Sequence, residues 1–166
     1  IMLGLAKDGD YESLQEYLES LVEDDNKVWG ETRYCENTTI NMILTMYKRR
    51  AKENGISVKI SAKASNNLAI PPQDLVIVIA NLFENAINAT AKLKGKGKNI
   101  DIQIKDNPER LLIKIDNPCR ANLTFDETLY GIGIRSVITT TNKYEGMYDF
   151  TAEDGVFSAK IILNLR

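Results

Sequence analysis

One apolar stretch, residues 75–90, constrains the fold of this chain most, because it can form about four helical turns and carries a row of asparagines. At about 100° per residue, one side of such a helix is apolar and consists of Leu75, Ile79, Leu82, Phe83 and Ala86. The opposite side carries Asn81, Asn85 and Asn88, with Glu84 at the edge of this row. Asparagine is a mediocre helix former, because its side chain competes for backbone hydrogen bonds. The row is therefore either a solvated face or the lining of a polar site.

The composition is that of an ordinary globular protein. A chain of 166 residues suits one domain, or one domain with a small appendage. The net charge of -2 gives no general attraction to nucleic acid. No apolar run reaches the roughly 18 residues of a membrane span, and no signal peptide is recognisable. Cys35 and Cys119 are not spaced as a metal site, so a reduced, cytosolic setting is the simplest expectation.

Histidine is absent from the sequence. Its absence excludes Ser-His catalysis, histidine–zinc sites and histidine general bases within this chain. The first residue is Ile1 rather than methionine, so we expect the chain to be a piece of a longer protein.

The first third of the chain predicts two amphipathic helices. Residues 10–23 have apolar side chains at helical spacing and glutamates mostly on the other face, with Asp10 as the N-cap. This helix either belongs to a helical hairpin that dimerises or packs on its own domain. Residues 27–37 indicate a linker or turn, and residues 38–53 return to a helical period that Asn54-Gly55 ends.

The remaining pattern alternates strands with helices. Residues 56–60 alternate as a half-buried strand, residues 61–69 form a polar connection, and Pro71-Pro72 opens the helix that contains residues 75–90. A hairpin over residues 100–116, a loop over residues 121–130 and a helix to about residue 144 follow. The last two strands, residues 147–151 and 156–165, are joined through Asp154-Gly155. The order predicts an α+β two-layer sandwich, with a mixed, mostly antiparallel sheet covered on one face by helices and an N-terminal helical segment.

Two further features carry chemistry. Gly131-Ile132-Gly133 stands at a predicted helix start, where glycines permit close approach and free N–H groups attract phosphate, and Arg135 could add a charge. The alternative is an ordinary turn before a helix. Asn117 continues the alternation of its strand and so emerges on the core-facing side at the strand's end, where a polar group needs a partner. Here the alternative is a simple Asx-turn into Pro118.

Taken together, these motifs resemble those of the GHKL ATPases. Asn81-Leu82-Phe83-Glu84-Asn85-Ala86, the strand-end Asn117 and Gly131-Ile132-Gly133-Ile134 are similar, in this order, to the N box and the first and second glycine boxes of that superfamily. Its members include DNA gyrase, a heat-shock chaperone, histidine kinases and the MutL repair protein. The resemblance covers roughly residues 37–166, and the whole run is most similar to peptide-pheromone receptor kinases of AgrC type. It implies the ATP-binding fold of these proteins, known as the Bergerat fold.

The resemblance implies roles for the residues on the central helix. Asn85 matches the asparagine that binds magnesium, and Mg²⁺ accepts such an oxygen while keeping waters and phosphate oxygens. Asn81 stands where hydrolytic members carry a glutamate that activates water, and an amide cannot act as a base. Glu84 matches an acidic residue that works through the water shell of the metal. Asn88 continues the same row.

The resemblance also implies how the nucleotide is held. By strand parity Asn117 matches the aspartate that reads adenine, and Asp116 is the candidate if the register slips by one residue. The second glycine box lies beside the phosphates and comprises Tyr130, Gly131, Ile132, Gly133, Ile134 and Arg135. The first glycine box departs from the family pattern, because Asn117-Pro118-Cys119-Arg120-Ala121 lacks both of its glycines, and Leu129 stands where a further glycine is common. The segment between the boxes is short, which implies a small lid over ATP.

The function implied by the resemblance is that of a sensor histidine kinase in a two-component system. Residues 33–166 would be its catalytic domain and residues 1–32 a remnant of its dimerisation hairpin. The domain would bind ATP and Mg²⁺ and transfer the γ-phosphoryl to a histidine upstream of Ile1, from which a response regulator would receive it. We expect a cytoplasmic domain of a membrane-bound, homodimeric kinase that binds no nucleic acid. The alternatives are a degenerate nucleotide-binding module without phosphotransfer and a hydrolytic GHKL ATPase.

Overall fold

The computed structural model describes residues 2–23 and 32–166, with side chains described for 2–20 and 32–166. The helices in these ranges are α1 (Met2–Asp8), α2 (Tyr11–Glu23), α3 (Thr38–Glu53), α4 (Pro72–Ala91) and α5 (Ile132–Lys143). The strands are β1 (Ser57–Lys63), β2 (Asn99–Asp106), β3 (Arg110–Pro118), β4 (Met147–Glu153) and β5 (Val156–Asn164). A short 3₁₀ turn, Glu127–Leu129, interrupts the loop before α5.

The strands form one mixed sheet in the order β1-β2-β3-β5-β4. β1 pairs with β2 in parallel, and the other neighbours are antiparallel. The predicted α+β sandwich with a mostly antiparallel sheet is thus confirmed. Two strand ends were wrong, because β4 continues to Glu153 into the predicted turn and β1 continues to Lys63 into the predicted polar connection. Its ladder with β2 runs as far as the pair Lys63 and Lys105, so backbone pairing extends the strand beyond its apolar alternation.

The core lies between the inner face of this sheet and α4. The buried side chains on the inner strand faces are Ile100, Ile102, Ile104, Leu111, Ile113, Ile115, Ala159, Ile161 and Leu163. Helix α4 packs against β3 and is also in contact with α1, α3 and α5. Because it is covered on several sides, α4 is apolar over most of its circumference and not along one stripe alone. Asn81 on this helix is only 2% exposed, so the polar row is not a purely solvated face.

The N-terminal helices pack on the domain itself. Helix α1 contacts α4 and buries Met2, Leu3 and Ala6 in the common core. Helix α2 begins at the predicted N-cap, because Ser13 N donates to Asp10 Oδ1 at 3.1 Å. Leu14 and Leu18 of α2 join the same core, so both N-terminal helices pack on the domain within this one chain, and a role in dimerisation stays a prediction. Residues 27–31 of the linker predicted at residues 27–37 lie outside the described residues, and the end of the linker, Asn37, caps α3.

A buried carboxylate joins the start of α4 to the end of α5. Asp74, in the first turn of α4, accepts hydrogen bonds from Lys143 Nζ at 2.7 Å and from the hydroxyl of Tyr144. Burial and the Asp74 carboxylate both raise the pKa of Tyr144, because each disfavours the phenolate. This contact holds α4 and α5 together at one end. The second half of α4 and the start of α5 line the candidate site.

Gly146, in the turn after α5, has no space for a side chain. A Cβ at Gly146 would collide with the carbonyl oxygen of Ile162 and lie 3.0 Å from that of Thr141. Since backbone atoms must move, we expect Gly146→Ala to lower the free energy of unfolding by about 1–3 kcal/mol. Urea denaturation measures this change. Gly4→Ala is the matched control, because its Cβ meets no atom within 4 Å in helix α1. Equal stability of the two variants would contradict the packing of this turn.

Candidate functional site

A cavity of about 320 Å³ opens between the second half of α4, the end of β3 and the start of α5. The loop that connects β3 to α5, residues 119–130, forms its fourth side and is called the lid loop below. The cavity is lined by Asn85, Ala89, Asn117, Cys119, Leu123, Phe125, Leu129, Gly131, Ile134 and Phe157. Elements far apart in sequence therefore meet at one concave surface, as ligand sites commonly require.

Two asparagines of α4 face the first turn of α5. Asn85 is half-buried and lines the cavity, and Asn81 is buried one turn earlier, where its Nδ2 donates to the carbonyl oxygen of Ile77 at 2.6 Å. A Cβ placed on Gly133 would lie 2.9 Å from Asn81 Oδ1 and 3.7 Å from Asn85 Nδ2. The second glycine of the Gly-Ile-Gly motif is thus required for the close packing of α5 on this polar part of α4.

The end of β3 contributes Asn117. This residue is 3% exposed and lies on the inner face of the sheet, directly opposite Phe157 of β5. Its Nδ2 donates to the carbonyl oxygen of Pro118 at 3.0 Å, which leaves Oδ1 as an acceptor at the cavity. Asp116 lies on the outer face, where it forms an ion pair with Lys114 at 2.7 Å. The strand register therefore brings Asn117, and not Asp116, to the cavity.

Helix α5 presents free backbone amides beside the same cavity. Gly131 is its N-cap and provides no side-chain cap, and the first helical bond runs from Arg135 N to Gly131 O at 3.1 Å. The N–H groups in the first turn consequently lack helical acceptors, and such groups attract anions. Gly131 and Ile134 line the cavity. This edge is suited to a phosphate or another anionic group.

Other residues of the predicted glycine box point elsewhere. Ile132 is 79% exposed, and together with Arg135 it lines a different cavity beside α1 and α2. Arg135 Nε donates to the carbonyl oxygen of Tyr130 at 3.1 Å, so it holds the end of the lid loop. Tyr130 packs on Phe125 and Phe150, and partial burial and the charge of Glu127 raise its pKa. The structure therefore does not bring Ile132, Arg135 or Tyr130 into the lining of the cavity.

The remaining predicted residues of α4 lie outside the lining as well. Glu84 forms an ion pair with Arg50 of α3, with Arg50 Nη1 at 2.8 Å from Glu84 Oε1. Asn88 is exposed to solvent. Asn88, three residues after Asn85, is its neighbour on the helix surface, whereas Glu84 is directed toward α3, and neither residue lines the cavity.

Sequence reasoning missed the apolar half of the site. Phe125 of the lid loop packs edge-on against Phe157, with 4.8 Å between ring centroids, and Leu123 and Leu129 lie beside it. Cys119 N donates to the carbonyl oxygen of Gly155, 2.8 Å away in the β4–β5 turn. Residues 121–130 show no helical or strand period, so only the apolar and aromatic residues of this loop, Leu123, Phe125, Leu129 and Tyr130, could have served as a signal.

The residues that line the cavity fit a nucleotide together with a divalent cation. The cavity has apolar and aromatic walls, one buried amide acceptor and a helix start at its other edge, which suits a base and an anionic tail. Among the described residues, no group of three cysteine or acidic side chains could hold a metal ion by itself. The amide oxygen of Asn85 could provide one ligand to Mg²⁺, with the others coming from water and phosphate.

Two solved structures share this fold. The catalytic domain of the histidine kinase ThkA superposes with a TM-score of 0.60 at 14% identity, over 76% of this chain and 91% of that one. The Acinetobacter baumannii histidine kinase AdeS superposes with a TM-score of 0.63 at 14% identity, over 95% of this chain and 81% of that one. At such low identity, these comparisons establish the fold alone.

Sequence comparison gives the family. A probable C4-dicarboxylate sensor kinase of Bacillus subtilis (strain 168) is 30% identical over 138 residues, which are 81% of this chain. The chain spans only 25% of the length of that relative. The model of the GHKL domain family matches residues 70–164, which include α4, β3 and the start of α5. That match covers more than half of the chain, and the chain therefore belongs to the GHKL domain family.

Proposed function

We propose that this chain is the ATP-binding catalytic domain of a sensor histidine kinase. The observation that carries the proposal is the meeting of Asn85, Asn117 and the free start of α5 at one cavity of a GHKL domain. The similarity to a sensor kinase over 81% of the chain supports it. Since the chain contains no histidine, the residue that accepts the phosphoryl group would lie outside it.

The proposed binding mode places the base at the end of β3 and the phosphates at α5. Asn117 Oδ1 would accept a hydrogen bond from the exocyclic amine of adenine, and Phe125 and Phe157 would enclose the ring. Backbone amides of the first turn of α5 would bind the phosphates. Asn85 would hold Mg²⁺, which when bound neutralises phosphate charge and orients the γ-phosphoryl group.

The buried amide of Asn81 favours transfer over hydrolysis. Its Nδ2 is bonded to Ile77 O, and an amide cannot take a proton from water. The acidic residue of α4 nearest to Asn81 in the sequence is Glu84, and its carboxylate is paired with Arg50. Catalysis by this domain would then consist mostly of positioning and charge stabilisation, while the acceptor histidine supplies the nucleophile.

The proposal extends to partners and location. A response regulator would receive the phosphoryl group, and the kinase would be a homodimer to whose dimerisation region residues 1–32 belong. The pheromone-receptor subtype is a finer proposal that rests on the resemblance of the motifs. Attachment to a membrane would depend on other parts of the protein, and within the described residues no helix has the length and apolarity to cross a bilayer.

Calorimetry with Mg²⁺ and ATP tests nucleotide binding directly. We expect saturable binding that depends on Mg²⁺, and no detectable binding at millimolar nucleotide would contradict the proposal. The transfer step is tested with a longer protein that includes the upstream residues, in which labelled ATP should yield acid-labile phosphate. Binding without transfer would favour a regulatory module, and appreciable ATP turnover by this chain alone would favour a hydrolytic ATPase.

Asn85→Ala should abolish Mg²⁺-dependent ATP binding while the fold remains intact, because it removes the one amide oxygen assigned to the metal. Calorimetry in the presence and absence of Mg²⁺ measures the loss, and circular dichroism verifies the fold. Asn142→Ala is a matched control, since Asn142 is an exposed helical asparagine of α5 away from the cavity. Unchanged binding by the Asn85 variant would remove this residue from the metal site.

Asn117→Ala should reduce the preference for ATP over GTP, because Oδ1 can accept from a 6-amino group and not from a 6-oxo group. Loss of one such hydrogen bond corresponds to roughly a three- to tenfold change in relative affinity. Competition binding with the two nucleotides measures it. Asp116→Ala should leave the preference unchanged, because Asp116 lies on the other face of the sheet. The reverse pattern would contradict the placement of the base.

Gly133→Ala should weaken ATP binding, because the new Cβ would press on Asn81 Oδ1 at 2.9 Å and separate α5 from the polar row of α4. The contact is with a side-chain end, so we expect only about 1 kcal/mol of lost stability. Ser136→Ala is the control, because Ser136 is a half-buried residue of α5 that does not line the cavity. Calorimetry and urea denaturation separate the two effects, and a variant that binds ATP as tightly as the control would refute this role of Gly133.

A further inference from the structure

The ion pair between α3 and α4 has no role in the nucleotide binding described above. Arg50 Nη1 lies 2.8 Å from Glu84 Oε1, and the two side chains are 47% and 28% exposed. Among the described residues this is the only ion pair that either side chain forms. It joins a surface cation of α3 to the acidic residue that stands directly before Asn85.

The helix geometry places Glu84 at the rim of the nucleotide side. Residues three and four apart are neighbours on a helix, so Glu84 lies between Asn81 and Asn88 on the helix surface, and it directly precedes Asn85 in the sequence. An unpaired carboxylate at this point would repel the phosphates of a bound nucleotide. A cation that remains in contact with it cancels most of that repulsion.

Packing beneath the ion pair fixes the position of the guanidinium. The rings of Tyr47 and Phe83 stack at 5.5 Å between α3 and α4, and Arg50 Cζ lies 6.0 Å from the centre of the Tyr47 ring. Arg50 is therefore held between an aromatic face and a carboxylate. Burial, and next the charge of Glu84, raise the pKa of Tyr47 to about 12.

We propose that Arg50 is a positioning residue of the nucleotide site, which acts by neutralising Glu84 and holding its carboxylate at the rim beside Asn85. The inference rests on the proposed function, because its effect is on the binding of ATP with Mg²⁺. It assigns to α3 a part in the site that neither its sequence nor the lining of the cavity indicates.

A second ion pair on the same helix provides a matched control. Arg49 Nε lies 3.5 Å from Glu53 Oε1, and these side chains are 74% and 63% exposed. Both arginines occupy the last part of α3, and exposed pairs contribute little to stability. Arg49→Gln and Arg50→Gln thus remove the same charge and differ in the carboxylate that loses its partner.

The experiment is a double-mutant cycle read out by calorimetry with ATP and Mg²⁺. Arg50→Gln should weaken binding roughly five- to tenfold, a size typical of coupled residues, whereas Arg49→Gln should bind like the wild type. In a Glu84→Gln background the effect of Arg50→Gln should fall below about twofold, because no carboxylate remains to be neutralised. Arg50→Lys should retain most of the affinity, and the loss in Arg50→Gln should shrink at high salt.

The outcomes separate this inference from the proposed function. If wild-type protein fails to bind ATP with Mg²⁺, the proposed function fails. If the wild type binds and Arg50→Gln binds equally well, only the role of Arg50 is overturned. An unchanged loss in the Glu84→Gln background would also overturn it, since Arg50 would then act on the nucleotide directly. Urea denaturation of Arg49→Gln and Arg50→Gln measures the stability of both variants. Similar stabilities show that the weaker ATP binding of Arg50→Gln is not caused by unfolding.

Discussion

The burial of α4 is the constraint on which the rest of the structure depends. The helix is covered by the sheet and by α1, α3 and α5, and it is apolar at most of the positions where those elements touch it. Asn81 and Asn85 are exceptions, and their amide groups need polar partners. The polar side meets the first turn of α5, and the approach is possible because position 133 has no side chain. The packing that stabilises the domain thereby also forms the polar wall of the cavity.

The degenerate first glycine box has a physical counterpart in this structure. The strand leaves the sheet at Asn117 and Pro118, and the next backbone amide, that of Cys119, is bonded to Gly155 in the adjoining turn. From there, Phe125 anchors the lid loop on Phe157. The segment is thus held by one backbone contact and an aromatic cluster, in place of the close backbone approach that glycines allow. This end of the cavity is therefore enclosed by apolar side chains rather than by backbone groups.

Much of the fold could be predicted, because it follows from local periods. The span of α3 and the extent of α4 were predicted almost to the residue, and the side of the sheet that carries Asn117 followed from strand alternation. The extension of β1 could not be predicted in this way, since it depends on pairing with β2. The aromatic contacts of Phe125 were missed for a similar reason, because a loop without a period gives no indication of where its side chains pack.

The sequence by itself determined which residue types the elements carry: amides along α4, an amide in the last residues of β3 and glycines at the start of α5. These follow from helical and strand spacing, which are properties of the local backbone. Only the tertiary structure decided which of them share a surface. Asn85, Asn117, Gly131 and Ile134 meet at the cavity, whereas Arg135 turns to the opposite side of α5 and Glu84 pairs with Arg50. The choice depends on how α5 and α3 pack on α4, and that packing is set by contacts between residues far apart in the chain.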